Sequence, residues 1–284
     1  MKMKKIYMLF VLLLTVSVAS AQQKELFVMH TSDTHSRIEP LEQNSADRNR
    51  GMGGVARRSA YIKQMRTQHP NLLLLDCGDI SQGTPYYNMF KGELEIKAMN
   101  LMGYDAMTIG NHEFDFGLDN MARIFQMADF PVVCANYDFT GTVLEGLVKP
   151  YIVLKRGGIK VGIFGLSPEM EGLVRTANCE GVKFKDPATT ANEMADLLRR
   201  KEKCAVVICL SHLGYDYDEK PGEYSDNIVF TKTHGIDLVL GGHSHTFMEK
   251  PVIIKDADGK DVTLNHTGRN GVYVGTYTIT LNKK

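Results

Sequence analysis

The chain is 284 residues long, with 33 basic against 33 acidic side chains and a formal net charge of zero. Balanced charge excludes a binder of nucleic-acid polymers that relies on a basic surface, and 23% charged residues with 26 Gly and 9 Pro exclude a disordered or collagenous chain. At this length, 43% hydrophobic residues suffice for one sizeable core.

The first stretch reads as a targeting segment. Lys2, Lys4 and Lys5 precede an almost wholly apolar run over 6–18, and Ala19-Ser20-Ala21 places small residues where a signal peptidase reads, before polar Gln22-Gln23-Lys24-Glu25. The run falls short of the ~20 residues of a membrane span. The expectation is a cleavable signal peptide over 1–21 and an exported chain, periplasmic or secreted, with no membrane span after cleavage. With no internal repeat and no long linker, 22–284 reads as one catalytic domain.

Strand-like apolar runs follow at 26–29, 72–75, 106–109, 132–135, 151–154, 160–164, 205–210 and 237–240. Helical spacing alternates with several of them, at 54–66, 93–101, 118–127 and 187–200. The last of these has Asp186 as N-cap and Pro187 at the first helical position. The tail differs: 256–260 (DADGK) reads as a hairpin turn, and 271–281 alternates like a half-buried strand. The class is α/β with a β-rich tail, most strands being buried on both faces. Of five cysteines, Cys77, Cys134, Cys204 and Cys209 lie in or beside apolar runs and Cys179 in a more polar stretch. None has the spacing of a Cys-based zinc site, and buried free thiols are expected.

The functional signal lies at the strand ends. Five runs lead into Asp33-Thr34-His35, Gly78-Asp79, Gly110-Asn111-His112-Glu113, Ser211-His212 and Gly241-Gly242-His243-Ser244-His245. In open α/β sheets, residues just past different strands converge on one crevice. Asp33/His35 and His243/His245 are each two apart, which in an extended segment points both side chains to one side. Taken singly, Asp-x-His or Gly-Asp is a turn signal and Asn-His-Glu a helix cap. Five of nine histidines gathered in such clusters have no comparable structural use.

Carboxylates, imidazoles and one amide without thiolate suit two hard-to-borderline divalent cations, with Zn, Mn, Fe and Co all compatible. Two metals about 3.5–4 Å apart need a bridging ligand, and Asp79, alone on its turn, is the best placed; such metals lower the pKa of bound water toward about 7, which suits hydroxide attack at phosphorus. His30 reads as core, His69 and His234 as surface, and Glu113 as local structure. His266 lies near the C-terminal strands, and the tyrosines of Gly214-Tyr215-Asp216-Tyr217-Asp218 sit on a loop read as solvated.

HTSDTH, LLLLDCGD, TIGNHEFDFG, CLSHLG and LVLGGHSHT resemble the five motifs of the calcineurin-like metallophosphoesterases. GNHEFDFG, GMGGVARR and NHTGRNGVYVGTYTITL make the chain similar to the metallophosphatase domain of the 5′-nucleotidase family, from about Phe27 to Leu281. The resemblance implies a four-layer αββα sandwich of two mixed sheets. It implies one metal held by Asp33, His35, Asp79 and His245, and another by Asp79, Asn111, His212 and His243. His112 would contact the phosphate and Asp115 would orient that imidazole. Full-length members carry a C-terminal nucleoside-binding domain, whereas this sequence stops at Lys284. The implied function is hydrolysis of phosphate monoesters, foremost nucleoside 5′-monophosphates. The alternatives are a phosphodiesterase or nucleotide-sugar hydrolase, or a catalytic subunit served by a separate nucleoside-binding chain.

Overall fold

The computed structural model describes residues 23–44, 46–216 and 224–281. The expected signal peptide lies outside the described residues. In chain order the strands are β1 (Lys24–Thr31), β2 (Leu73–Asp76), β3 (Ala106–Thr108), β4 (Val132–Val133), β5 (Tyr137–Asp138), β6 (Val148–Lys149), β7 (Tyr151–Arg156), β8 (Ile159–Leu166), β9 (Lys183–Phe184), β10 (Val206–Ser211), β11 (Leu238–Gly241), β12 (Val252–Lys255), β13 (Asp261–His266) and β14 (Gly275–Leu281). The helices are α1 (Val55–Gln68), α2 (Pro85–Phe90), α3 (Glu93–Met102), α4 (Gly117–Phe125), α5 (Pro187–Asp196) and α6 (Asp226–Val229).

Two six-stranded mixed sheets result, ordered β14-β1-β2-β3-β4-β6 and β12-β13-β11-β10-β8-β7. In the first, only β14 runs antiparallel to its neighbour. In the second, β8, β10, β11 and β13 are parallel and the flanking strands antiparallel. Period-two alternation sends successive apolar side chains to opposite faces, and both faces are covered. Leu73 and Leu75 of β2 join Val206, Ile208, Leu210, Leu238 and Leu240 in the core between the sheets. Leu72 and Leu74 pack outward with Ile62 of α1, Ile96 and Met99 of α3 and Met121 and Ile124 of α4. Val207, Cys209 and Val239 pack outward with Ala191 and Ala195 of α5. This is the four-layer αββα sandwich.

Asp186 caps α5 by accepting from the Thr189 backbone N–H at 2.7 Å. That helix ends as a π-helical turn over Leu197–Lys201 rather than continuing as α-helix. The tail strand begins at Gly275, because 271–274 form a loop beside α1 instead of pairing with β1. Helix α2 and the β5–β9 pair were too short to show periodicity. All five cysteines are free, four buried and Cys179 half-buried. His69 is half-buried and stacks on Phe27, with ring centroids 3.7 Å apart, and His234 lies 3.2 Å from Asp196, so neither is the bare surface residue expected. No helix among the described residues is long and apolar enough to cross a membrane.

Candidate metal centre

The loops after β1, β2, β3, β10 and β11 meet at one edge of the sandwich. They are laced together by backbone bonds from Asp33 N–H to Gly78 O (2.9 Å), His35 N–H to Asp79 O (3.1 Å) and Ser36 N–H to Ile80 O (2.9 Å). Across the two sheets, His243 N–H donates to Asp33 Oδ1 at 2.9 Å, and His212 Nδ1 lies 2.5 Å from the Cys77 carbonyl oxygen.

The ligand-bearing turns are not extended. Asp33, His35, Asp79, His243 and His245 adopt φ of 50°, 47°, 56°, 74° and 54°. Left-handed backbone costs a non-glycine residue on the order of 1–2 kcal/mol and concentrates at functional sites. The extended-spacing argument therefore fails for His243 and His245, which part company. Asp33, His35 and His245 form one group of converging ligand atoms, and Asp79, His212 and His243 form the other. Asp33 Oδ1 lies 3.7 Å from His245 Nε2 and 3.9 Å from His212 Nε2, so it stands between the groups. Asp79 Oδ2 lies 3.0 Å from His212 Nε2, while Asp79 Oδ1 accepts the His112 backbone N–H at 2.9 Å.

Two glycines make this density of side chains feasible. A Cβ on Gly110 would fall 2.1 Å from Asp79 Oδ1, and one on Gly242 would fall 2.9 Å from both Asp33 Oδ2 and His212 Nδ1. Glu113 sits behind the centre as an acceptor for three backbone N–H groups, those of Asp79 and Ile80 at 3.0 Å and of Gly110 at 2.5 Å. It ties two ligand loops together, the local structural role expected of it.

The electrostatics favour cations. Burial pushes the Asp33 carboxyl up to about 7, with the charge of His212 opposing and that of Asp79 adding to the rise. For Asp79 burial pulls the same way, but the charge of His212 and the bond to it win and hold the carboxyl well below the usual range. Burial works against protonation of His212, yet Asp79 and Asp33 outweigh it and lift the imidazole to about 10. Burial lowers His35 to about 4 and His243 to about 3, which favours the neutral imidazole at both. His245 is lowered by burial and then by the charge of Arg269.

The His35 and His245 Nε2 atoms face each other at 2.9 Å. Among the described residues, buried Asn111 Oδ1 has no hydrogen-bond partner. Leaving such an atom unsatisfied costs about 1–3 kcal/mol, a cost that a cation bound there removes. Oxygen and imidazole donors without thiolate fit two divalent cations.

His112 and Asp115 stand at the mouth. His112 Nδ1 lies 2.9 Å from Asp115 Oδ2, and the Tyr87 hydroxyl donates to the same oxygen at 2.7 Å. Burial works against a charged His112, but the bond to Asp115 and the charge of Asp79 raise its pKa. Its ring centroid is 5.6 Å from that of His35.

A buried polar cluster beneath the second sheet's loops was not foreseen from the sequence. Asp226 Oδ1 accepts the Ser211 hydroxyl at 2.5 Å, and Asp226 Oδ2 lies 2.7 Å from His266 Nε2. The His266 ring and Asp226 carboxylate pack under Gly241, where a Cβ would fall 2.0 Å from His266 Nε2. The cluster thereby holds both turns that bear His212 and His243. Its members lie far apart in sequence, and only His266 drew notice. Asp226→Ala is expected to destabilise the fold by about 3 kcal/mol, since it strands a buried imidazole and hydroxyl. Thermal unfolding should show a fall of about 10 °C. An unchanged midpoint would deny the cluster this role.

Two mixed sheets enclosed by helices, with oxygen and nitrogen ligand groups gathered where strand ends of both sheets meet, define a metallophosphoesterase-type hydrolase domain. Residues 28–247 match the Calcineurin-like phosphoesterase family. The chain belongs to that family. It is 33% identical to the 5′-nucleotidase of Rattus norvegicus, over 93% of this chain and 48% of that protein. The trifunctional nucleotide phosphoesterase protein YfkN of Bacillus subtilis is 32% identical, over 82% of this chain and 17% of its own length. Among solved structures, the 5′-nucleotidase precursor of Thermus thermophilus superposes with a TM-score of 0.82 at 34% identity, over 91% of this chain and 52% of that one. The chain thus spans about half the length of the 5′-nucleotidases it matches.

Proposed function

We propose that residues 22–284 form the catalytic domain of an exported, dinuclear metal-dependent phosphoesterase that hydrolyses phosphate monoesters, foremost nucleoside 5′-monophosphates. The observation that carries this reading is the pairing of the two ligand groups with His112 at the same mouth. The 5′-nucleotidase names of the relatives supply the substrate class, and the leader-like 1–21 supplies the export.

In this reading Asp33, His35, Asp79 and His245 would hold one divalent cation, and Asp79, Asn111, His212 and His243 the other. Divalent cations held there would supply Lewis acidity toward phosphoryl oxygens and would lower the pKa of water. The chain's own residues do the rest. His112, whose protonated form the bond to Asp115 favours, donates to the phosphoryl or leaving oxygen as negative charge builds there. Tyr87 anchors the Asp115 oxygen and so fixes the ring's direction. Glu113 and the glycine turns keep the ligand loops from relaxing, so the charges are in place before substrate arrives.

Two further readings share this site. One is hydrolysis of cyclic nucleotides or nucleotide sugars; a Haemophilus influenzae NAD nucleotidase superposes with a TM-score of 0.81 at 27% identity. The other is a catalytic subunit completed by a separate nucleoside-binding chain. Phosphate release by the purified, metal-reconstituted chain from AMP, UMP, a cyclic nucleotide, a nucleotide sugar and p-nitrophenyl phosphate separates the three. The expected result is clear preference for AMP and UMP. Turnover of p-nitrophenyl phosphate alone favours the subunit, and turnover of none contradicts the phosphoesterase.

A further inference from the structure

Helix α1 buries two residues, Arg58 and Ile62, one helical turn apart on the face that meets the rest of the fold. Ile62 joins the apolar core, as that face requires. Arg58 is only 7% exposed, and its guanidinium Nε and Nη1 are buried with no hydrogen-bond partner among the described residues. Asp76 does not relieve it. That carboxylate lies close enough to feel the Arg58 charge, but its oxygens are engaged by the Thr31 hydroxyl at 2.5 Å and the Gly78 N–H at 2.9 Å. Arginines are seldom buried without a partner, because desolvation of the charge is then uncompensated.

Arg58 lines a cavity of about 420 Å³ between α1 and the loop over 271–274, a volume within the ~300–1,000 Å³ typical of a small-molecule site. Its Nη1 abuts the Gly271 backbone, where a Cβ would fall 1.9 Å away, so glycine is what leaves the guanidinium its place. Met52, Tyr61, Val272 and Tyr273 supply apolar and aromatic wall, with Met52 and Tyr61 exposed at the rim. The Tyr273 hydroxyl donates to Asn49 Oδ1 at 3.0 Å, which fixes that ring. Arg57 also reaches the wall, but it donates to the Gly51 carbonyl oxygen. Among the described residues no carboxylate lines the cavity, nor does any residue of the metal centre.

One unpaired guanidinium calls for one negative charge. A carboxylate meets a single guanidinium through paired N–H···O bonds, and the apolar walls suit a hydrocarbon body behind it. We propose that this cavity binds a monocarboxylate with an apolar or aromatic body, its carboxylate against Arg58 and its body between Met52, Tyr61 and Tyr273. The ligand supplies the counter-charge and the acceptors that the fold withholds from Arg58. The cavity shares no residue with the metal centre, so it stands or falls apart from the phosphoesterase reading.

The test is calorimetric titration with hydrocinnamate and with its uncharged amide, in excess inorganic phosphate so that cations of the metal centre are covered. The acid should bind saturably and at least about tenfold more tightly than the amide. Arg58→Met should erase that preference while keeping or raising the thermal midpoint, because an apolar side chain replaces an unpaired buried charge. Met52→Glu sets a like charge at the exposed rim and should weaken the acid at least about fivefold, leaving the amide unchanged. Absence of binding, equal affinity of acid and amide in the wild type, or a preference that survives Arg58→Met overturns the site. Should Arg58→Met fail to fold, an undiminished preference in Met52→Glu overturns it instead.

Discussion

Asp79→Ala is expected to lose bound metal and to lower phosphate release by about a thousandfold or more. The Asp79 carboxylate is fully buried, faces His212 at 3.0 Å, and lies in the turn whose backbone carries the adjacent ligand loop. Its removal leaves His212 without the charge that draws a cation to it, and it also frees the His112 backbone N–H. Loss of one preorganised charge at a developing phosphoryl charge costs about 10²–10³ in rate, and loss of the cation adds to that. Elemental analysis after dialysis and a phosphate-release assay read the two effects separately. Full metal content in the variant would remove Asp79 from the ligand set.

His112→Ala should behave differently, retaining metal while losing about 10²–10⁴ of turnover. The imidazole is hydrogen-bonded to Asp115, meets the ligand groups only edge-on at the His35 ring, and is incompletely buried. The sign of its pH dependence follows from the raised pKa: the donor form persists to higher pH than in a free histidine and is lost as pH climbs through that raised value. Asp115→Asn removes the main raising influence, so the alkaline limb of the rate profile should move to lower pH, with metal content unchanged. A limb that stays in place would mean that His112 is not the group that titrates. Loss of metal in His112→Ala would make it a ligand.

The sequence shows the fold where chemistry or burial demands a pattern. Strands buried on both faces read as continuous apolar runs, and 72–75 and 205–210 were legible for that reason. The ligand clusters were legible because imidazole and carboxylate after glycine have few other uses at a strand end, and the resemblance then grouped them. The partition of His243 from His245 was beyond spacing alone, because it depends on left-handed backbone at both residues. Asp226 and His266 meet across 40 residues, and Tyr87 reaches Asp115 from a six-residue helix too short to betray its facing. Such contacts are made by tertiary packing, and nothing local in the sequence encodes them. His69 looked like a turn residue, yet it stacks on Phe27 because α1 ends beside β1.

The central claim is that two cations held by these loops are needed for hydrolysis. The direct measurement is phosphate release from AMP by the chelator-stripped chain as Mn²⁺ is added back in counted equivalents. The account predicts negligible release from the stripped chain and a rise that levels off at two ions per chain. Undiminished release in excess chelator, or a plateau at one ion, would contradict it.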